Sequence, residues 1–136
     1  SVRAGAVPLT GGRRPSREGN FYLPTVLTGV APGMPVFQEE TFGPVAAVVR
    51  AADDAEAARL ADDTAYGLGA SVWSADPDRA LDVGGRITSG ALFVNAVVAS
   101  DPRLPFGGTR RSGYGRELSA EGIREFTNVR TVWVAA

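Results

Sequence analysis

Apolar positions along this chain fall into short runs, separated by clusters rich in Gly, Pro and charge. Val2 to Leu9 is weakly apolar and predicts a strand. Thr10 to Asn20 predicts a loop, broken by Gly11, Gly12, Pro15 and Gly19 and kept wet by Arg13, Arg14 and Arg17. Phe21 to Leu27 is aromatic and β-branched, as a strand is, and Pro24 within it argues for an edge position or an interruption. Gly29 to Pro35 predicts a second loop. The run Val45-Ala46-Ala47-Val48-Val49 follows Gly43-Pro44 and predicts a short strand buried on both faces. Pro44 fixes its own φ and disfavours helix at Gly43.

The second half alternates helix and strand patterns. Asp53 caps a predicted helix, with Glu56 at the reciprocal position and Ala57, Leu60, Ala61 and Thr64 as its buried stripe. Gly67 is placed to end it. Leu68 to Trp73 alternates and predicts a strand. Asp76-Pro77 opens a short helix whose end Gly84 and Gly85 weaken. Gly90 to Asn95 predicts another buried strand, and Ala96 to Leu104 a loop. Ser119 caps a last helix with Ile123 and Phe126 on its buried side, and Val129 to Val134 predicts a final strand. This alternation is the mark of an α/β architecture: a mostly parallel sheet flanked by helices. Neither an internal repeat nor a low-complexity linker divides the chain.

Composition narrows the chemistry. With 136 residues, 44% of them apolar, one globular domain is expected. Fourteen basic residues, all Arg, balance 15 acidic ones to a net charge of -1, which offers no field for nucleic acid or an anionic membrane surface. The chain contains no Cys and no His, so it holds neither a thiol nucleophile nor the usual acid/base of neutral pH. No stretch approaches membrane-spanning length and no signal-peptide pattern opens the chain, so the expected location is cytoplasmic. Ser1, rather than Met, stands first, as at a processed, trimmed or truncated end.

Two blocks stand out as candidate chemistry. Gln38-Glu39-Glu40-Thr41-Phe42-Gly43-Pro44-Val45 puts adjacent carboxylates at the mouth of a predicted buried strand, where open α/β sheets place ligand loops. The bland alternative is a turn carrying two solvated acids. Pro105-Phe106-Gly107-Gly108-Thr109-Arg110-Arg111-Ser112-Gly113-Tyr114-Gly115-Arg116-Glu117 invites a phosphate-loop reading. That reading fails, because Leu118 stands where a third glycine is needed and no Gly-Lys-Ser/Thr occurs. Tight turns and close backbone approach explain these glycines better.

Both blocks resemble signatures of the NAD(P)-dependent aldehyde dehydrogenases, Glu-Glu-x-Phe-Gly-Pro and Pro-Phe-Gly-Gly-x-Lys-x-Ser-Gly-x-Gly-Arg-Glu. Thr64-Ala65-Tyr66-Gly67-Leu68 and Phe93-Val94-Asn95 lie between them in family order, and the resemblance runs from about Gly19 to the end. The stretch from Ser112 to Glu117 looks closest to the succinate-semialdehyde dehydrogenase-like branch. The resemblance implies residues 1–127 as the C-terminal part of the catalytic domain and 128–136 as an oligomerisation strand. It implies Glu40 as acceptor for the nicotinamide ribose hydroxyls, with Phe42 and Leu68 near the nicotinamide. Phe106 and Ser100 would wall the substrate funnel, while Phe42 and Leu68 are equally placed to be core. Ser100 falls where many relatives carry an aromatic, which suits a polar or carboxylate-bearing aldehyde, and Arg103 stands nearby. Arg110 stands where the family usually has Lys; charge is kept and geometry is not. Asn95 is expected to tie down the next loop rather than touch substrate.

The main departure is the missing Cys, because the family attacks the aldehyde with a thiolate. By the resemblance, that nucleophile, the general-base Glu and the dinucleotide-binding half lie upstream of Ser1. The expectation is a C-terminal portion of an oxidoreductase that converts an aldehyde, with succinate semialdehyde as candidate, to an acid with NAD or NADP. Alone it is expected to be inactive, with weak or no cofactor binding. Its expected partners are copies of itself or the missing N-terminal half, and a small aldehyde, with no nucleic acid and no membrane. The alternative is a non-catalytic partner module or split-enzyme subunit that completes another chain. An independent nucleotide-binding domain is the weakest reading, for want of a phosphate loop.

Overall fold

A computed structural model describes residues 1–136, which divide into two units, Ser1–Leu60 and Ala61–Ala136. The chain is α/β. The first unit holds a three-stranded sheet in the order β1-β2-β3, with β1 at Val7–Thr10, β2 at Thr25–Thr28 and β3 at Val45–Ala47. β1 and β2 are antiparallel, with an irregularity between Pro8 and Thr10, and β2 and β3 are parallel. Ala6, Leu27, Val30 and Met34 form the core, with Val36, Phe37, Val45 and Val49 packed against it. Thr25 is the buried polar residue, and its hydroxyl is satisfied. It accepts from the Gly12 amide at 2.7 Å and donates to the Leu23 carbonyl at 2.8 Å. One helical turn, α1 (Pro35–Gln38), begins on Pro35, a residue pre-set for the first helical position.

Several strand expectations shift here. Val2–Ala4 is a 3-10 turn, so the first strand starts at Val7. The strand expected over Phe21 to Leu27 begins only after Pro24, which has no N–H to give a ladder. It occupies the middle of its sheet rather than an edge. β3 is shorter than its apolar run, with Ala46, Ala47 and Val48 exposed rather than buried on both faces. The physical reason is its place at the end of the strand order, with β2 as its only ladder neighbour.

Helix α2 (Asp54–Asp62) carries the chain from one unit to the next. Its predicted cap forms. The Asp53 carboxylate accepts from the Glu56 amide at 2.8 Å, and Glu56 reaches back to the Ala52 amide at 2.8 Å, one residue earlier than the usual box. The buried residue of α2 is Ala58, so the expected stripe is off by one position.

In the second unit β4 (Ala70–Val72) and β5 (Leu92–Val94) are parallel, joined by α3 (Pro77–Gly84), which packs on both. Both strands are shorter than their sequence patterns, and β5 is half-buried at Phe93 and Val94. Ala80 and Val83 are the buried residues facing this core. Gly84 lets α3 approach β5, because a Cβ there would meet the Leu92 side chain at 2.6 Å. The Asp76 carboxylate caps α3, accepting from the amides of Asp78 at 3.0 Å and Arg79 at 3.2 Å. Asp76→Ala should therefore lower stability by about 1 kcal/mol, and Asp76→Asn, which still caps, by much less. Thermal denaturation of both variants checks this; equal melting temperatures for Ala and Asn would refute it.

Helix α4 (Ser119–Glu125) corrects another expectation. Its buried residue is Gly122, while Ile123 and Phe126 are exposed at 70% and 91%. A Cβ on Gly122 would meet the Glu117 carbonyl carbon at 2.6 Å, so the backbone, not the apolar pair, makes the close contact. Leu118 occupies the cap position, and the Ser119 hydroxyl accepts from the Glu121 amide at 3.3 Å. Residues 129–134 do not form a strand within the chain, because no neighbouring strand gives them a ladder.

Candidate functional site

Leu68 and Phe106, far apart in sequence, line one cleft of ≈ 510 Å³ in the second unit. The rest of its wall is Gly107, Gly108 and the run from Ser112 to Glu117, with Glu125 and Phe126. Phe106 is held by a two-residue antiparallel bridge to Glu117, with reciprocal amide-to-carbonyl bonds of 2.8 Å. The Arg116 guanidinium donates to the carbonyls of Gly108 at 2.9 Å and Gly115 at 2.6 Å, folding the block back on itself.

The Gly67 peptide is the junction that brings this block to Leu68. Its carbonyl accepts from the amides of Gly90 at 3.0 Å and Thr109 at 2.9 Å, and its N–H donates to the Ser112 hydroxyl at 3.0 Å. Gly67 does not end a helix, as its position in the sequence predicts, since α2 stops at Asp62. It is a glycine because a Cβ would run into the Thr109 hydroxyl and, at 2.9 Å, the Thr88 carbonyl. The Asn95 side chain ties down the segment after β4 rather than the next loop, accepting from Ser74 N at 2.9 Å and donating to Ser74 O at 2.8 Å.

Arg110 and Asp62 are the pair that sequence reasoning missed. Arg110 Nη1 donates to the carbonyls of Asp62 at 2.7 Å and Thr64 at 2.8 Å, while Nη2 reaches Asp62 Oδ2 at 2.8 Å. Asp62 Oδ1 also accepts from the Thr88 amide at 2.6 Å. The Thr88 amide, and then Arg110, hold the Asp62 carboxyl below the usual carboxylate range. The only hint in the sequence was Arg in place of the Lys of the resembled motif.

Ser100 is exposed in the loop from Ala96 to Leu104, which carries no helix or strand. Near it, Arg103 forks onto the Asp101 carboxylate, Nε to Oδ1 at 2.9 Å and Nη2 to Oδ2 at 2.6 Å. That bond lowers the Asp101 pKa and raises that of Arg103. The cation of this loop is thus already paired. Phe106 also borders a second, apolar cleft of ≈ 410 Å³ between β5 and this loop.

Glu40 and Phe42 lie in the first unit, both exposed, Phe42 at 94%. Phe42 stands at a cleft of ≈ 530 Å³ with Phe21, Tyr22 and Pro44. Phe21 is fixed by the Arg17 guanidinium, 3.5 Å from its ring centre.

Residues 1–132 match the model of the aldehyde dehydrogenase family. The chain belongs to that family. The match reaches the first residue, extending the resemblance some 18 positions toward the N-terminus. Among curated relatives, succinate-semialdehyde dehydrogenase [NADP(+)] 1 of Mycobacterium tuberculosis is 51% identical over 135 residues, covering 99% of this chain and 30% of that protein. Succinic semialdehyde dehydrogenase from Streptococcus pyogenes, solved in complex with NADP+ as the cofactor, superposes with a TM-score of 0.90 at 36% identity, over 99% of this chain and 30% of that one. Succinate-semialdehyde dehydrogenase from Burkholderia pseudomallei gives a TM-score of 0.86 at 43% identity, over 92% and 26%. The chain thus spans about 30% of the length of the curated aldehyde dehydrogenases it matches. No helix is long and apolar enough to cross a membrane.

Proposed function

We propose that this chain supplies the substrate- and nicotinamide-facing C-terminal part of an aldehyde dehydrogenase that oxidises succinate semialdehyde to succinate with NADP+. The observation that carries the reading is the 51% identity, over nearly the whole chain, to a relative so named. The Leu68–Phe106 cleft supports it, since it joins two of the blocks by which the family resemblance was drawn. NADP+, when bound, would serve as the hydride acceptor. In the first unit Glu40, an exposed carboxylate, would accept hydrogen bonds from the ribose hydroxyls and Phe42 would give apolar contact to the ring; in the second, Leu68 lines the cleft it shares with Phe106. Phe106 excludes water from the aldehyde, and Ser100 offers a hydroxyl to the polar end of the substrate.

The nucleophile comes from elsewhere, because this chain has no Cys, and no His to activate a Ser. The working enzyme is therefore an assembly with a Cys-bearing portion, built from like assemblies through residues 128–136, in the cytoplasm. A split-enzyme subunit is the same reading with the two portions on separate chains.

The test follows reduced-nicotinamide absorbance with succinate semialdehyde and NADP+ or NAD+. The chain alone should give none above the no-protein blank, and bind either cofactor weakly. Adding the Cys-bearing N-terminal portion of a family member should produce turnover that Glu40→Gln reduces. Turnover by the chain alone that survives further purification would overturn the proposal, as would a stable complex with that portion that stays inactive.

A further inference from the structure

We infer that Asp62 and Arg110 form a positioning pair that sets Leu68 and Phe106 in register across their shared cleft. The inference rests on reading that cleft as the working site. Residues 62–67 run directly into Leu68, and residues 109–112 follow directly on Phe106-Gly107-Gly108. Arg110 clasps the first segment at three acceptors, two carbonyls and one carboxylate oxygen. Beyond it the segments are zipped by Arg111 N to Ala65 O at 3.0 Å and Thr109 N to Gly67 O at 2.9 Å. Arg110 adopts a left-handed φ of 54°, unusual for a residue with a side chain. Such a conformation persists where surrounding contacts over-determine it, and the clasp is that contact.

Three features separate this pair from an ordinary surface ion pair. Both side chains are only 29% exposed. Two of the guanidinium bonds go to neutral carbonyls, which salt does not screen as it screens charge pairs. Only a planar fork reaches all three acceptors at fixed angles, so Lys cannot replace it bond for bond. Both terminal nitrogens are spent on protein acceptors, which makes Arg110 a scaffold rather than a ligand contact.

The test uses the whole 136-residue chain with methyl and amide NMR. In Arg110→Lys, amide exchange at Thr109 and Arg111 should rise about tenfold. The Leu68 methyl resonances should move, and the amides of Thr25 and Val48 in the first unit should not. Asp62→Asn, which keeps both carbonyl acceptors, should give a smaller change of the same kind. Unmutated protein gives a third readout that needs no variant to fold. Asp62, at the end of α2, faces Arg110 of the 3-10 turn Arg110–Ser112 and the Thr88 amide of the loop before β5. Its folded pKa is depressed, so its carboxylate bond to Arg110 is fully formed above the ordinary carboxylate range and weakens as pH falls through the folded value, while the two carbonyl bonds remain. The Leu68 methyl signals should follow that titration. Signals flat through Asp62 protonation, or unmoved in both variants, overturn the inference. In the complemented enzyme, Arg110→Lys should raise KM for succinate semialdehyde about tenfold with a smaller change in kcat, and an unchanged KM also counts against it. Absence of turnover in the unmutated assembly would sink the functional reading, while the NMR result still decides the clasp.

Discussion

Gly90→Ala should be among the most damaging single-methyl additions in the second unit. A Cβ on Gly90 would fall onto the carbonyl oxygen of Gly107, and lie 2.8 Å from its carbon and 3.2 Å from Gly108 Cα. These are backbone atoms of the Gly-rich block, so no rotamer change relieves the overlap. The Gly90 amide also donates to Gly67 O at 3.0 Å, so any shift of residue 90 strains the junction that holds Leu68. Overpacking of this kind costs about 3 kcal/mol or more when the obstruction cannot move. For a unit of this size the melting temperature should fall by about 12 °C or more. Gly43→Ala is the control, with nothing within 4 Å of its Cβ and no left-handed φ. Circular dichroism melts should show a large fall for the first and little for the second. A Gly90→Ala protein melting with wild type would mean that the Gly90–Gly107 contact is looser than described.

Deleting residues 128–136 should abolish self-association. Val129, Val132, Trp133 and Val134 are exposed at 92%, 70%, 87% and 85%, a concentration of apolar surface that soluble chains seldom leave uncovered. The segment alternates as a strand does, yet it has no ladder in the single chain. Pairing with a sheet edge of a second copy would satisfy its backbone and cover its side chains together. Trp133 reports the event, since burial moves indole emission to the blue. Sedimentation should show a species larger than the monomer for the full chain, with Trp133 emission shifting as concentration rises, and a monomer for the truncated form. A full chain that sediments as a monomer at every concentration, with constant emission, would refute this.

What could be read without coordinates was local. The Asp76-Pro77 start of α3 and the Asp53/Glu56 cap of α2 form because a cap needs only residues within one turn of each other. The parallel α/β character also followed from alternating periods of two and 3.6 residues. The four ordered motif blocks were enough to indicate the family, and the match over residues 1–132 agrees.

Tertiary structure decided whatever depended on distant neighbours. Val45 to Val49 has the composition of a doubly buried strand, but burial is set by what lies beside a strand, and β3 ends its sheet. Ile123 and Phe126 have the spacing of a buried helix face, yet the close approach of Gly122 to Glu117 directs that face outward. Gly67 has the position of a helix stop but serves as a crossing point for three segments, which no single-chain window displays. Of the candidate site, Leu68 and Phe106 are brought together by that crossing. The residues that clamp it, Asp62 and Arg110, are 48 apart in sequence, and their partnership follows from chain path rather than from any local preference.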